Sequence, residues 1–319
     1  MSKIKPTIAI CYDFDGTLSP KNMQEYDFFN DLGTKAQPFW SEVEACRKRN
    51  HADQILTYMM LMIDKAKAHV GSNKTTKASI QGYGKSVKLF NGVEDWFKII
   101  NAYGKKNGVI IEHYIVSSGI KEMIEGTSIA KYFKKIYACS FVYDEQDGTA
   151  KWPAVAVNYT TKTQFLFRIN KGIEDDNDNT LINEYIPESQ RPIPFSRMIY
   201  IGDGATDVPC MKLVKQKGGN SIAVYDQRKA GKLESAKALL ANKRINYMAP
   251  ASYGSGSQMK KLVCAIIDKI VAASRLETAT AQLEKIGQPK EKSADKTETL
   301  ATDAPAIPIP ESAAPPQNP

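Results

Sequence analysis

Asp13 and Asp15 stand one residue apart in "IAICYDFDGTLSP" (8–20), where an apolar run gives way to Gly16-Thr17. In an extended segment residues i and i+2 project to the same side, so both carboxylates face one point in space. Two like charges that close repel, and burial sharpens the repulsion unless a cation or a shared proton settles it. Asp-Gly is also a common turn, which would use the same pair without any chemistry. Further along, "IGDGATDVPCM" (201–211) again ends an apolar run in carboxylates, Asp203 and Asp207. "VSSG" (116–119) ends another in hydroxyls, with Ser117 as the leading donor and Ser118 as its competitor. "YTTKTQFLFRINKG" (159–172) puts Lys162 in the first turn of a helical pattern, pointing a cationic arm back toward the strand ends; Lys151 and Lys171 compete with it.

This set suits phosphoryl transfer. A phosphate ester approaching several carboxylates is repelled, and a hard divalent cation with oxygen ligands removes the repulsion. The expected cofactor is Mg2+, with Asp13, Asp203 and the backbone carbonyl of Asp15 as ligands and Asp207 grouped with them. Lys162, Ser117, Ser118 and Gly119 are expected to hold the phosphoryl oxygens. Asp13 is then free to attack phosphorus, while Asp15 protonates the departing alkoxide and later deprotonates a water. Gly16 lets the chain turn sharply, and the Thr17 hydroxyl is expected to brace that turn.

The elements that must position these groups follow from the apolar pattern. Strand-like runs recur at 7–16, 110–119, 135–143, 197–204 and 221–225, with helical patterns at 93–103, 161–169 and 207–214 between them. Near-continuous apolar strands alternating with helices predict a doubly wound parallel sheet covered on both faces, with chemistry gathered at the strands' carboxyl ends. Residues 21–89 interrupt the alternation and read as a helical cap, with apolar spacing in Phe39, Trp40, Val43 and Cys46, then in Ile55, Met59, Met62 and Ile63. That second stripe serves either a pocket or plain core. Trp40, Arg47 and Arg49 are candidate substrate contacts. The domain reading is an α/β core at 1–20 and 90–274, a cap at 21–89, and a mostly disordered tail at 275–319, whose end is rich in proline. Residues 142–157 read as a hairpin turning at Asp147-Gly148. The acidic stretch 174–194 reads as a surface loop and lacks the glycine and glutamate spacing of a calcium loop.

D-x-D-G-T after an apolar strand, then S-S-G, a lysine, and G-D-G-x-T-D resembles, in this order, the motif set of the haloacid dehalogenase superfamily, most closely its phosphoserine-phosphatase-like branch. The resemblance spans roughly residues 7–270 and implies a Rossmann-like core, a cap between Asp13 and Ser117, and a magnesium-dependent phosphatase working through an aspartyl phosphate. It makes Asp207 a buttress for the metal's waters or for Lys162, and Asp15 favours phosphate over halide. Asn22 stands where phosphoserine phosphatases often carry an acidic residue, and the 40 residues between Lys162 and Asp203 exceed that branch's usual interval. The expected substrate is therefore a small phosphorylated metabolite, not phosphoserine in particular. A phosphotransferase using the same intermediate and a non-catalytic binding protein on the same fold are the alternatives.

Bulk composition fits this reading. The 319 residues are 42% hydrophobic with a net charge of +8. From Arg275 onward seven acidic residues outnumber five basic ones, so the positive charge sits on the preceding body. A basic body suits anionic substrates, and no lysine/arginine stripe interleaved with aromatics points to nucleic acid. No apolar run is long enough for a membrane span, which makes the cytoplasm the default expectation. The five cysteines form no C-x-x-C pair, which argues against zinc and disulfides. His51, His69 and His113 are read as structural or surface residues.

Overall fold

Both faces of β1 (Thr7–Tyr12) are covered in the computed structural model, which describes residues 5–178 and 180–287. Ile8 through Tyr12 have no exposed surface, which is why the strand is apolar without alternation. After β1 come α1 (Asp27–Asp31), α2 (Ala36–Asn50), α3 (Gln54–His69) and α4 (Lys77–Tyr83). Then α5 (Val93–Lys106) leads into β2 (Ile110–Ile120), and α6 (Lys121–Glu125) into the hairpin of β3 (Phe133–Tyr143) and β4 (Ala150–Val155). The chain continues through α7 (Thr161–Lys171), β5 (Met198–Gly202), α8 (Val208–Gln216), β6 (Asn220–Tyr225), α9 (Lys232–Ala241), β7 (Tyr247–Pro250) and α10 (Gln258–Gly287). The sheet order is β4-β3-β2-β1-β5-β6-β7, parallel throughout except for the antiparallel β3–β4 pair.

Side-chain parity along β1 decides which helices meet the site. Tyr12 turns toward α5: its hydroxyl accepts the Trp96 indole N–H at 2.8 Å, and Phe97 packs edge-on to its ring. Cys11 turns the other way, beside Cys210 of α8. Asp13 shares the parity of Cys11, so it emerges on the side served by α7 and α8, where Lys162 and Asp207 are found.

Several details differ from the sequence reading. β7 and α9 were not expected. β7 is a four-residue edge strand only half-buried, and α9 buries little beyond Ala236, so neither leaves a strong apolar signature. α10 runs to Gly287, past the expected end at 274; residues 275–284 are exposed, and helix-forming Ala, Leu, Glu and Gln carry that part without a buried stripe. The tail expected to be disordered beyond that helix lies outside the described residues. The hairpin turns as expected, with Gly148 at φ +69° and the Asp144 carboxylate accepting the Gln146 N–H at 2.7 Å.

The 174–194 stretch is tied down by α7. Arg168 donates to the carbonyls of Asp175 and Asp178, and Lys171 to those of Ile182 and Glu184. Helices α1–α4 fall in the same compact unit as the sheet, Met1–Leu276; of the second unit, which begins at Glu277, the described part is the end of α10. Among the described residues no helix is long and apolar enough to cross a membrane. His113 is structural: burial pushes it down to about 3, and it bonds Tyr12 and Asn101. His51 closes α2 in a left-handed conformation, and His69 is exposed in the last turn of α3. All five cysteines are free thiols.

Candidate active site

The carboxyl ends of β1, β2 and β5 converge on one rim. Asp13 follows β1, and its N–H donates to the Ile201 carbonyl at 2.9 Å, which fixes it against the end of β5. Asp203 follows β5 directly. Gly16 has φ +75°, and a Cβ there would sit 2.3 Å from the Asp203 carboxylate. Only glycine lets the turn after Asp15 pass this close to Asp203. The turn is closed by main-chain bonds from Leu18 and Ser19 to Phe14. The Thr17 hydroxyl, expected to brace it, is buried without a partner among the described residues, while the Thr17 carbonyl accepts from the Tyr253 hydroxyl at 2.8 Å.

The carboxyl groups of Asp13, Asp203 and Asp207 offer oxygens all within 4.8 Å of one another. Lys162 is fully buried between two of them, 2.7 Å from Asp207 Oδ1 and 3.3 Å from Asp13 Oδ1. Asp207 also accepts the Tyr200 hydroxyl at 2.8 Å and the Gly204 N–H at 3.2 Å. With these partners Asp207 anchors Lys162, and it also belongs to the group of acids whose oxygens lie together.

Lysine and carboxylates respond to this crowding in opposite ways. Burial alone would drive Lys162 down, but Asp13 and Asp207 reverse that and hold it well above its ordinary range. Asp13 is pushed up to about 7, first by burial and next by Asp207, with Lys162 and the Ser117 hydroxyl pulling back. Asp15 is pushed well up by burial and by Asp13, with the Met23 N–H at 3.0 Å giving partial relief. Asp203 is raised by burial and by Asp207. One lysine shared among several buried acids leaves each acid short of positive charge.

A second lysine, which sequence reasoning missed, partly answers this. Lys232, at the start of α9, places Nζ 2.7 Å from Asp203 Oδ2. The only available signal was its place in "GKLESAKALLA", a helix that was itself overlooked. Asp203 Oδ1 receives no protein donor among the described residues, and the same holds for the Asp15 carbonyl. Unclaimed oxygens beside an acid-rich, buried cluster fit a hard divalent cation.

Asp13, Asp15, Asp203 and Lys232 line a cavity of about 420 Å³ together with Glu25, Trp40, Tyr58 and Asn158, whereas the buried Lys162 and Asp207 do not reach its surface. Ser117, Ser118 and Gly119 line it from the end of β2. Ser117 Oγ accepts the Gly119 N–H at 3.1 Å; Ser118 Oγ and Asn158 Oδ1 are buried with no partner among the described residues. The Tyr58 hydroxyl of α3 donates to the Ser118 carbonyl at 2.6 Å, which ties the helical insertion to this loop. Of the insertion residues picked from sequence, Trp40 lines the cavity. Arg47 and Arg49 do not, and Arg47 is paired with Glu44 on its own helix. The competing lysines are elsewhere: Lys151 pairs with Asp144, and Lys171 holds the 174–194 stretch.

A family model described as haloacid dehalogenase-like hydrolase matches residues 10–212. A relative, an "Uncharacterized protein" of Borreliella burgdorferi, is 30% identical over 283 residues, covering 81% of this chain and 96% of its own length. Among solved structures, a probable phosphoserine phosphatase from Vibrio cholerae in unliganded form is similar with TM-score 0.52 and 15% identity, over 85% of this chain and 67% of that one. At that identity the likeness is one of fold. A phosphoserine phosphatase carrying a phospho-aspartyl intermediate analogue has TM-score 0.48 and 14% identity, over 81% of this chain and 98% of its own.

Proposed function

The chain belongs to the haloacid dehalogenase-like hydrolases, and on that premise we propose that it is a magnesium-dependent phosphatase that hydrolyses a small phosphomonoester through an aspartyl phosphate on Asp13. The observation that carries the proposal is the buried Asp13–Lys162–Asp207 chain with Asp203 beside it. In this reading Asp13 attacks phosphorus and the ester P–O bond breaks. Asp15, whose hold on a proton is strengthened by burial and by Asp13, gives a proton to the departing oxygen. The ionised Asp15 then takes a proton from water, which attacks the same phosphorus and frees Asp13 and inorganic phosphate. Lys162, the Ser117 and Ser118 hydroxyls and the Gly119 N–H hold the phosphoryl oxygens as charge shifts across them. Magnesium, held by Asp13, Asp203 and the Asp15 carbonyl, would neutralise the charge between ester and acids.

The test is phosphate release from a panel of phosphomonoesters with magnesium, after thorough chelation, and after magnesium is restored. Activity that disappears on chelation and returns with the ion supports the reading; hydrolysis undiminished by chelation contradicts it.

Lys232 gives a second expectation. Its ammonium holds Asp203 Oδ2 and so presets the carboxylate that would meet the ion. Lys232→Met should change the magnesium concentration needed for half-maximal thermal stabilisation by about threefold to tenfold, because one charge-assisted hydrogen bond is at stake. A midpoint equal to that of the wild type would show that Lys232 does not set the Asp203 position.

A further inference from the structure

Resting on the phosphatase reading above, we infer that Tyr58 of the helical insertion is a positioning residue for phosphoryl transfer: its hydroxyl holds the Ser118–Gly119 peptide so that the Gly119 N–H and the Ser117 hydroxyl face the transferring group. The juxtaposition behind this is the 2.6 Å bond from Tyr58 to the Ser118 carbonyl, at the point where β2 leaves its ladder.

β2 pairs with β1 as far as Ile115, and its register with β3 jumps from Val116–Tyr137 to Ile120–Cys139. β2 thus advances four residues while β3 advances two. Residues 117–119 bulge out of the sheet, which aims their polar groups and takes their main chain out of the regular ladder. Main-chain groups that leave a ladder need other partners, and here side chains supply them. The Ser118 carbonyl accepts the Tyr58 hydroxyl at 2.6 Å and the Cys139 thiol at 3.4 Å. The Gly119 N–H donates to Ser117 Oγ at 3.1 Å, and the Ile120 N–H to Met23 Sδ at 3.1 Å. Tyr58 and Met23 both come from the insertion.

The Ser118 carbonyl and the Gly119 N–H belong to one planar trans peptide, so they point in opposite directions. With Tyr58 on the carbonyl end, the N–H end is turned to Ser117 Oγ, and the Ser117 hydroxyl in turn acts on Asp13. Position 119 has to be glycine, because a Cβ there would sit 2.2 Å from Met23 Cε. Glycine also lets such a peptide turn over, since it accepts positive φ without steric cost. The Tyr58 bond opposes that turn-over. Tyr58 is itself well fixed: it is buried, its ring stands edge-on to Trp40 at 5.7 Å, and Met59, Met62 and Ala66 of the same helix are in the core. Burial and Cys139 hold its phenol well above the ordinary range, so it remains a donor.

The test uses the full chain with magnesium and p-nitrophenyl phosphate. Tyr58→Phe keeps the ring beside Trp40 and removes only the hydroxyl; kcat/KM is expected to fall about tenfold, less than the loss of a direct oxyanion donor causes. Two further measurements separate positioning from other roles. Orthovanadate mimics the transferring group and carries no alcohol part, so the concentration giving half-maximal thermal stabilisation should also rise about tenfold in Tyr58→Phe. In a Ser117→Ala background the Tyr58 hydroxyl has less left to aim, and Tyr58→Phe should then cost no more than about threefold in kcat/KM. Tyr58→Met, which also lacks the donor, supplies the same comparisons if Tyr58→Phe does not fold. Unchanged kcat/KM, an unchanged orthovanadate midpoint, or losses that multiply in the double variant overturn this inference; hydrolysis by the wild type in the same samples leaves the phosphatase reading standing. Wild type that releases no phosphate from this ester or from any other of the panel overturns both.

Discussion

Asp13→Asn is expected to lower kcat by a factor on the order of 10⁴ or more, as loss of a nucleophile does, while the protein stays folded. The same substitution separates catalytic from structural roles through stability. The Asp13 carboxyl is raised to about 7, mainly by burial and by Asp207, so the folded state disfavours its charged form. Relative to the unfolded chain, that penalty begins above the ordinary carboxylate range and grows until the pH passes about 7. Asparagine carries no such penalty. Without magnesium, Asp13→Asn should therefore melt higher than wild type at pH 8, with the gain shrinking toward pH 5, where Asp13 is protonated in the fold. Thermal melts across that range check the sign, and a variant that melts lower at pH 8 would mean that Asp13 is a structural ion-pair partner.

Lys162→Met is expected to fail in both respects. Lys162 is fully buried and holds Asp13 and Asp207 together. Removing one partner of a buried pair leaves uncompensated charge and typically costs about 3–5 kcal/mol. The loss should be largest at high pH, where the carboxylates are ionised, and smaller as they take up protons. Turnover should fall by on the order of 10³, since a preorganised cation is lost from the phosphoryl group. Lys162→Arg should recover part of the stability and little of the rate, because a planar guanidinium cannot reproduce a point charge 2.7 Å from Asp207 in a closed space. Denaturant unfolding and steady-state kinetics on both variants decide this; full activity in either variant would remove Lys162 from the mechanism.

What the sequence made legible follows from how locally each feature is determined. The core strands are apolar on both faces, so their runs are visible, and the parity of Asp13 relative to Cys11 and Tyr12 follows from strand geometry alone. The acids and hydroxyls at the ends of β1, β2 and β5 stand out because they end those runs. β7 and α9 were invisible because short, half-buried elements leave little pattern. Lys232 was missed with α9, since one lysine among many gains meaning only when the fold brings it 2.7 Å from Asp203. Glu25 and Tyr58 are likewise products of tertiary approach: nothing local says that Glu25 meets Trp40, or that Tyr58 reaches Ser118. α10 outran its expected end because an exposed helix needs propensity and no apolar stripe.

The account depends on a covalent bond between phosphorus and the residue at position 13. Acid quenching of the enzyme during turnover of a labelled phosphate ester, followed by peptide mapping, tests it most directly. A phosphoryl group on Asp13 that is stable in acid, released by hydroxylamine and missing in Asp13→Asn is the predicted result. Phosphate release without any label on the protein, or label on another residue, would contradict it.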